Sequence, residues 1–413
     1  MLDFVLRSTQ KGAPDSVHSA LAAIRKHLGM EVAYVSEFVG ASTVMREVDA
    51  PGLADLVKIG DSRPVDEVYC RHILEGRLPP LMADTTHYPF AMAMPITKAV
   101  PIGAYMSVPI LRTDGSVYGT FCCLSPHANK SLNDRDLQVM RVFADVTATQ
   151  INQRIEEAQK YAEKQAHFQQ VISQQAFGFV YQPIFDLRST RPVGFEMLCR
   201  FTAEPYRSPD KWFNDAVAVG CGIELELAVI EGAVALIKAF PPDIYLSVNA
   251  SPGAILSGRL KSLLPAAMLH RLVVELTEHA CVEDYRALED ALTEFRNMAG
   301  RLAIDDAGAG YASLQHIVQL KPDIIKLDIG LTRTIDTDPA RRALAAALIY
   351  FAREMACTIV AEGIETEREY ETLKVLGVPK GQGYYLGRPM ELTSALKLVE
   401  GPALPLSARS ATR

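Results

Sequence analysis

The most constraining feature of this chain is the rhythm of its second half, where short apolar segments of strand character alternate with helical ones. The strand-like segments fall at 179–187, 193–201, 244–251, 272–278, 302–306, 324–329, 358–364 and 383–386. That order predicts an α/β architecture, a (β/α)8 barrel in which chemistry belongs at the C-terminal ends of the strands. One connection departs from the pattern. Only residues 188–192 join the first two segments, too few for a parallel crossover, so this pair is expected to be an antiparallel hairpin.

Polar residues gather at the expected strand ends. Glu196 and Arg200 lie on the second segment, Asn249 on the third, Glu275 and Glu278 on the fourth, and Asp305 and Asp306 on the fifth. Lys326 and Asp328 follow on the sixth, Glu362 and Glu365 on the seventh, and Gln382 just before the eighth. One such residue alone reads as a cap or a rim ion pair, but the same chemistry repeated on six strands does not. Side-chain alternation puts Glu196, Leu198 and Arg200 on one face, and Lys326 with Asp328 likewise, so both sets can enter one mouth.

In 301–311 an apolar strand ends in two adjacent carboxylates and opens into a Gly-rich loop. Like charges side by side call for a cation, and oxygen donors without sulfur or imidazole suit Mg²⁺ or Mn²⁺. Glu196, Asn249, Glu275 and Asp305 can hold one ion. Asp305 can bridge to a second held with Asp306 and Glu362, an arrangement suited to in-line hydrolysis of a phosphodiester. A zinc hydrolase is disfavoured, because His270, His279 and His316 lie off the strand ends.

Upstream, Val17, Leu21, Ile24 and Leu28 recur at helical spacing, and 31–39 alternates as a strand. Residues 50–100 read as irregular, with a helical patch at 69–74. Strands at 104–111 and 117–124 flank the turn Thr113-Asp114-Gly115-Ser116. A long helix over 133–175 carries Leu137, Met140, Ala144, Thr147, Ile151, Arg154, Ala158, Tyr161, Gln165, Phe168 and Ile172 in steps of three and four. This seam reads either as a parallel coiled coil joining two copies or as a lone helix packed on the upstream sheet.

A chain of 413 residues is too long for one ordinary domain. The expected division is a sensory domain over 1–132, a helical linker over 133–175 and the barrel over 176–413. A net charge of −7 without a dense basic run excludes a nucleic-acid polymer as an expected partner. The seven cysteines lack paired zinc spacing and read as reduced thiols, most of them core. Cys70 with His72 can also be read as a tetrapyrrole or haem attachment, against which core packing weighs more. No charged leader and no apolar run of spanning length is present, so a cytoplasmic protein without membrane contact is expected.

Gly103 to Ile110 and Val117 to Cys122 in this order resemble a GAF sensory domain, which implies a small ligand of unknown identity or a purely structural role. The second half carries Gln182-Pro183-Ile184, Gly194-Phe195-Glu196-Met197-Leu198-Cys199-Arg200, Asn249-Ala250-Ser251 and Glu275-Leu276-Thr277-Glu278. Asp305-Asp306-Ala307-Gly308-Ala309-Gly310, Lys326-Leu327-Asp328, Ala361-Glu362-Gly363-Ile364-Glu365 and Gln382-Gly383-Tyr384 follow. Together they resemble the EAL-domain cyclic di-GMP phosphodiesterases. The resemblance implies hydrolysis to linear 5'-pGpG with two divalent cations, Mg²⁺ or Mn²⁺; the alternative is a weak or silent cyclic di-GMP receptor. The larger Ca²⁺, which accepts more ligands at longer distances, is expected to bind the same oxygens and inhibit turnover.

By that resemblance Glu196, Asn249, Glu275 and Asp305 would bind the first ion, and Asp305, Asp306 and Glu362 the second. Lys326 would orient or deprotonate the attacking water, with Glu365 positioning Lys326. Gln182, Glu196, Leu198, Arg200, Asp328 and Gln382 would meet the substrate. Glu278 would brace the loop over 306–313 and couple a homodimer to activity. Two positions depart from the family's pattern: Met197 stands for the namesake alanine and is expected to point away from the pocket, and Ala307 stands where an aromatic is common.

Overall fold

The computed structural model describes residues 16–53, 57–263, 266–276, 284–307 and 311–401. The chain divides into two compact units between Ala162 and Glu163, inside the long helix Asp134–Ser173. No helix among the described residues is long and apolar enough to cross a membrane.

The first unit is built on an antiparallel sheet of β1 (Val32–Val39), β2 (Ser42–Asp49), β3 (Ser62–Pro64), β4 (Leu81–Met82), β5 (Ala104–Leu111) and β6 (Val117–Ser125), in the order β3-β2-β1-β6-β5-β4. The predicted hairpin is β5–β6. β2 lies in a stretch to which the sequence assigned no element. Only two of its eight side chains are buried, so its alternation is faint, and its conformation comes from pairing with β1.

One sheet face packs against the helix Ser16–Leu28 and the first part of the long helix; Leu137, Met140, Ala144 and Ile151 join Leu21, Ile24, Val35 and Phe121 in a single cluster. This corrects the coiled-coil reading for that stretch. The side chains offered as a seam for a second copy already fill the helix's own domain core. On the other sheet face Val68, Tyr69, Cys70, Leu78 and Met94 cover Tyr34, Tyr105, Cys122 and Leu124. Adjacent Cys122 and Cys123 thus serve opposite faces of β6, as strand alternation requires.

The second unit is a closed barrel of β7 (Phe177–Asp186), β8 (Pro192–Phe201), β9 (Tyr245–Asn249), β10 (Leu272–Leu276), β11 (Arg301–Ala307), β12 (Ile324–Leu327), β13 (Thr358–Ala361) and β14 (Lys380–Gly381). β7 runs antiparallel to both neighbours, β8 and β14, and the remaining pairs are parallel. The eighth strand was expected over 383–386. It precedes that stretch, so Gln382 follows it rather than leading it. Residues after Gln382 instead turn around Ile364: the Tyr385 N–H donates to its carbonyl, and a Cβ on Gly383 would sit 2.2 Å from its nitrogen.

The last turns of the long helix belong to this unit. Phe168 and Val171 are buried, and the rings of His167 and Phe168 lie 5.5 and 5.7 Å from that of Trp212. Trp212 stacks at 4.9 Å on Phe201, the last residue of β8, with the Arg207 guanidinium 4.5 Å over the indole.

Inside the barrel, Ile184, Tyr245, Val273, Ala303, Ile324 and Val360 form an apolar floor. Arg301 and Lys380 each lie 4.8 Å from the Tyr245 ring. Phe195 and Met197 of β8 point outward into the cluster under the covering helices, with Leu227, Ile230 and Phe240.

Candidate active site

The site is the layer directly above that floor. Two residues beyond Val273, Ala303, Ile324 and Val360 stand Glu275, Asp305, Lys326 and Glu362, and side-chain period two keeps them facing inward. Because β7 runs the other way, its contribution is two residues before Ile184: Gln182, in register with Glu196 of β8. Asn249 ends β9 in register with Glu275.

Lys326 stands at the centre, essentially buried. Its Nζ lies 2.7 Å from Glu275 Oε2, 2.7 Å from Glu362 Oε1, 3.1 Å from Asp305 Oδ1 and 3.3 Å from Glu196 Oε2. Gln382 Nε2 donates to Glu196 Oε2 and to Glu362 Oε1, each at 2.7 Å. Its Oε1 is buried without a hydrogen-bond partner. The cavity above measures about 340 Å³, and its walls include Gln182, Glu196, Asp305, Glu362, Glu365, Gln382 and Tyr384.

Asp305 and Asp306 pose a geometric problem that the structure solves locally. Successive residues of a regular strand face opposite sides, so two adjacent carboxylates cannot both reach one pocket. Here the β11–β12 register slips between Ile304 and Ala307, and Asp306 adopts a left-handed backbone with φ 54°. The resulting bulge re-aims the pair. Carboxylate oxygens of Asp305, Asp306 and Glu362 come within 4.8 Å of one another.

Burial and charge together set the electrostatics. Burial opposes the charge of Lys326, but Glu196, Glu275, Glu362 and Asp305 outweigh it and hold the ammonium well above the ordinary lysine range. Burial pushes the Glu275 carboxyl up to about 8, with Lys326 opposing and Glu196 and Asp305 adding. Burial likewise raises Glu362 well above the carboxylate range against the pull of Lys326, with Asp305 and Glu196 adding. An ammonium held this firmly can orient a water but not deprotonate one, and it is no Schiff-base nucleophile.

Several expected contributors lie elsewhere. Glu365 does not position Lys326: its carboxylate pairs at 2.7 Å with Arg333, which the chain delivers alongside it just beyond the short helix Ile329–Thr332. Asp328 caps that helix, accepting from the Gly330 N–H at 2.7 Å, and is not among the cavity walls. Arg200 is exposed and donates to the Cys199 carbonyl at 2.8 Å; it and Leu198 lie farther out on the Glu196 face of β8. Glu278 falls outside the described residues. Sequence reading missed Arg333, which no strand pattern marks.

The donor set fits hard divalent ions. Glu196, Glu275, Asp305, Asp306 and Glu362 all offer carboxylate oxygens, and Lys326 is the ammonium at their centre. Two groupings can be distinguished. Glu196, Glu275 and Asp305 with Asn249 at the rim form one; Asp305, Asp306 and Glu362 form the other.

The EAL domain model matches residues 165–389 and the GAF domain model residues 15–151. The probable cyclic di-GMP phosphodiesterase PdeN of Escherichia coli (strain K12) is 27% identical over 247 residues, 57% of this chain and 47% of its own length. Cyclic di-GMP phosphodiesterase PdeF of the same organism is 27% identical over 243 residues, 56% of this chain and 32% of its own length. This chain therefore spans less than half of either relative. An EAL domain protein from Listeria monocytogenes EGD-e, 24% identical, shares the fold over 55% of this chain and 93% of its own, with a TM-score of 0.50. With the matched segment covering more than half of its length behind an N-terminal GAF domain, the chain belongs to the EAL domain family.

Proposed function

We propose that this chain is a cyclic di-GMP phosphodiesterase that opens one phosphodiester to give linear 5'-pGpG, using two divalent cations, Mg²⁺ or Mn²⁺, under control of its GAF domain. The observation that carries this reading is the convergence of five carboxylates on the barrel mouth around Lys326. Bound ions would acidify a water and neutralise charge developing on the phosphoryl oxygens. Glu196, Asn249, Glu275 and Asp305 would hold one, and Asp305, Asp306 and Glu362 the other. Lys326 aligns the carboxylates and the attacking water from below. Gln382 fixes Glu196 and Glu362 through its amide nitrogen and lines the cavity that the substrate would enter. Gln182 and Tyr384 supply further wall, and Glu365 holds Arg333 at the rim.

Incubation of purified protein with cyclic di-GMP and Mg²⁺ or Mn²⁺, followed by separation of products, tests the assignment. Linear 5'-pGpG is expected; tight binding without product would assign the chain to the receptor class instead. Mg²⁺ requires near-octahedral coordination at about 2.0–2.1 Å, whereas Ca²⁺ takes more ligands at about 2.3–2.6 Å. Ca²⁺ is therefore expected to support binding but suppress turnover, and comparable rates in the two ions would contradict the two-ion account. The reading includes a homodimer formed through the barrel face around Glu278. Light scattering at micromolar concentration should return twice the mass of the chain.

A further inference from the structure

The GAF domain encloses a polar cluster that the hydrolytic reading does not use. Cys70, on the helix Tyr69–Leu74, and Cys122, on β6, bring their sulfurs to 3.5 Å. Both residues are buried and both are free thiols. The Tyr105 hydroxyl lies 2.9 Å from Cys70 Sγ and 3.3 Å from Cys122 Sγ. The Tyr34 hydroxyl meets that of Tyr105 at 2.9 Å. Cys122 also contacts the hydroxyls of Ser107 at 3.3 Å and Thr120 at 3.2 Å.

This arrangement is asymmetric in two ways. A cavity of about 30 Å³ opens against Cys70 and reaches Asp61 and Arg63, while Cys122 is not among its walls. That volume holds roughly one or two water-sized molecules. The hydrogen bond from Cys122, with those of Thr120, Tyr105 and Tyr34, outweighs burial and brings the Cys70 thiol down to about 6. Burial, reinforced by Cys70, pushes Cys122 well above the usual thiol range. Cys70 is thus the sulfur that a small molecule in the cavity meets first, with Cys122 directly behind it.

We propose that Cys70 and Cys122 form a hydroperoxide-reactive dithiol inside the GAF domain, in which Cys70 takes the oxygen and Cys122 closes a disulfide. The Cys70 thiolate attacks the outer oxygen of a small hydroperoxide ROOH and breaks the O–O bond. The departing RO⁻ takes up the proton that Cys70 had released and leaves as ROH, and Cys70 becomes a sulfenic acid. The Cys122 sulfur then attacks the Cys70 sulfur, whose hydroxyl leaves with the Cys122 proton as water. Two thiols and one hydroperoxide give one disulfide, one ROH and one water; the sulfur pair loses two electrons and the peroxide gains them. A bonded pair requires about 2.05 Å, so the sulfurs close by roughly 1.5 Å, and the helix Tyr69–Leu74 is drawn toward β6. Tyr105, in contact with both sulfurs, is the positioning residue.

The test uses the full chain, fully reduced, with H₂O₂ as probe. After brief oxidation under native conditions, remaining thiols are alkylated and the digest is read by mass spectrometry. The expected result is a cross-link between the peptides of Cys70 and Cys122 that persists in Cys123→Ser, since Cys123 faces the other side of β6. Cys122→Ser should instead accumulate a sulfenic acid on Cys70 that dimedone traps, and Cys70→Ser should leave Cys122 unoxidised over the same interval. Tyr105→Phe should slow cross-linking several-fold without changing the circular dichroism spectrum. Absence of the cross-link in protein that retains its native spectrum, a cross-link that forms only after denaturation, or dimedone on Cys122 in preference to Cys70 would each overturn the proposal.

Discussion

The barrel and the GAF domain both bury polar side chains against the middle of a sheet, and they finish the task differently. In the GAF interior the groups are hydroxyls and thiols, each able to donate and accept, and Tyr34, Tyr105, Cys70, Cys122, Ser107 and Thr120 partner one another. In the barrel the groups are carboxyls, which once ionised only accept, and Lys326 with Gln382 provides donors they share. Groups that both donate and accept can satisfy their own hydrogen bonds. Carboxylates gathered around Lys326 remain open to further cations, which ties the barrel cluster to charged ligands in a way the GAF cluster is not.

The largest effect that would break this contrast is on turnover. Glu196→Ala, which removes a carboxylate in contact with Lys326 and Gln382, should abolish product formation. Its neighbour Met197→Ala should keep activity within an order of magnitude and lose stability by about 2–5 kcal/mol, because that side chain lies in the outer core. Equal loss of activity in two folded variants would contradict the inward and outward faces assigned to β8.

Next in size is Lys326→Met. The rate should fall by about 10²–10⁴-fold if the ammonium positions the water and its proton. Without metal, the barrel should lose roughly 3–5 kcal/mol, as expected when buried charges lose their partner. Mn²⁺ should restore most of that loss, measured by thermal unfolding with and without chelator. Unchanged stability in the metal-free variant would show that the carboxylates do not depend on the cation.

A third effect concerns where the barrel begins. A chain starting at Glu163 keeps Phe168 against Trp212 and Val171 buried, whereas one starting at 176 loses both. The shorter chain should be less stable by about 1.5–3 kcal/mol for each large side chain lost. Matching denaturation midpoints would make the helix end a spectator.

The smallest effect is a divergence with pH. Glu275, at about 8 when folded, holds a proton that the unfolded chain releases near 4.3, so metal-free barrel stability should fall as pH rises from 6 to 8. Cys70, at about 6 when folded and near 8.5 when unfolded, has already released its proton over the same interval, so the reduced GAF domain should gain stability. Calorimetry on the full chain under reductant and chelator should show two transitions moving in opposite directions. Parallel movement would remove the distinction between the two interiors.

Much of the barrel was legible because four of its strands carry their own record: an apolar inward residue, then a polar one two places on, at 273 and 275, 303 and 305, 324 and 326, 360 and 362. The antiparallel hairpin followed from a short connection. What escaped depends on partners distant in sequence. β2 needs β1 beside it to be a strand, Glu365 meets Arg333 only when two loops fold together, and the eighth strand is two residues long. The helix seam left open whether a second copy or the upstream sheet buries it, because periodicity shows that a face is buried without showing what buries it; Leu137, Met140, Ala144 and Ile151 fill the sheet's own core.

The bulge at Asp306 decides how its mutants must be interpreted. A left-handed backbone costs a branched or simple side chain about 1–2 kcal/mol, while asparagine and aspartate visit it readily. Asp306→Ala therefore confounds two losses, a ligand and a backbone preference, and a drop in affinity for either ion could come from a relaxed strand that swings Asp305 out of place. Asp306→Asn keeps the conformation and alters only the charge, and Asp306→Gly keeps the conformation and removes the side chain. Read as a pair, the two separate what the carboxylate contributes to the second ion from what the kink contributes to the first.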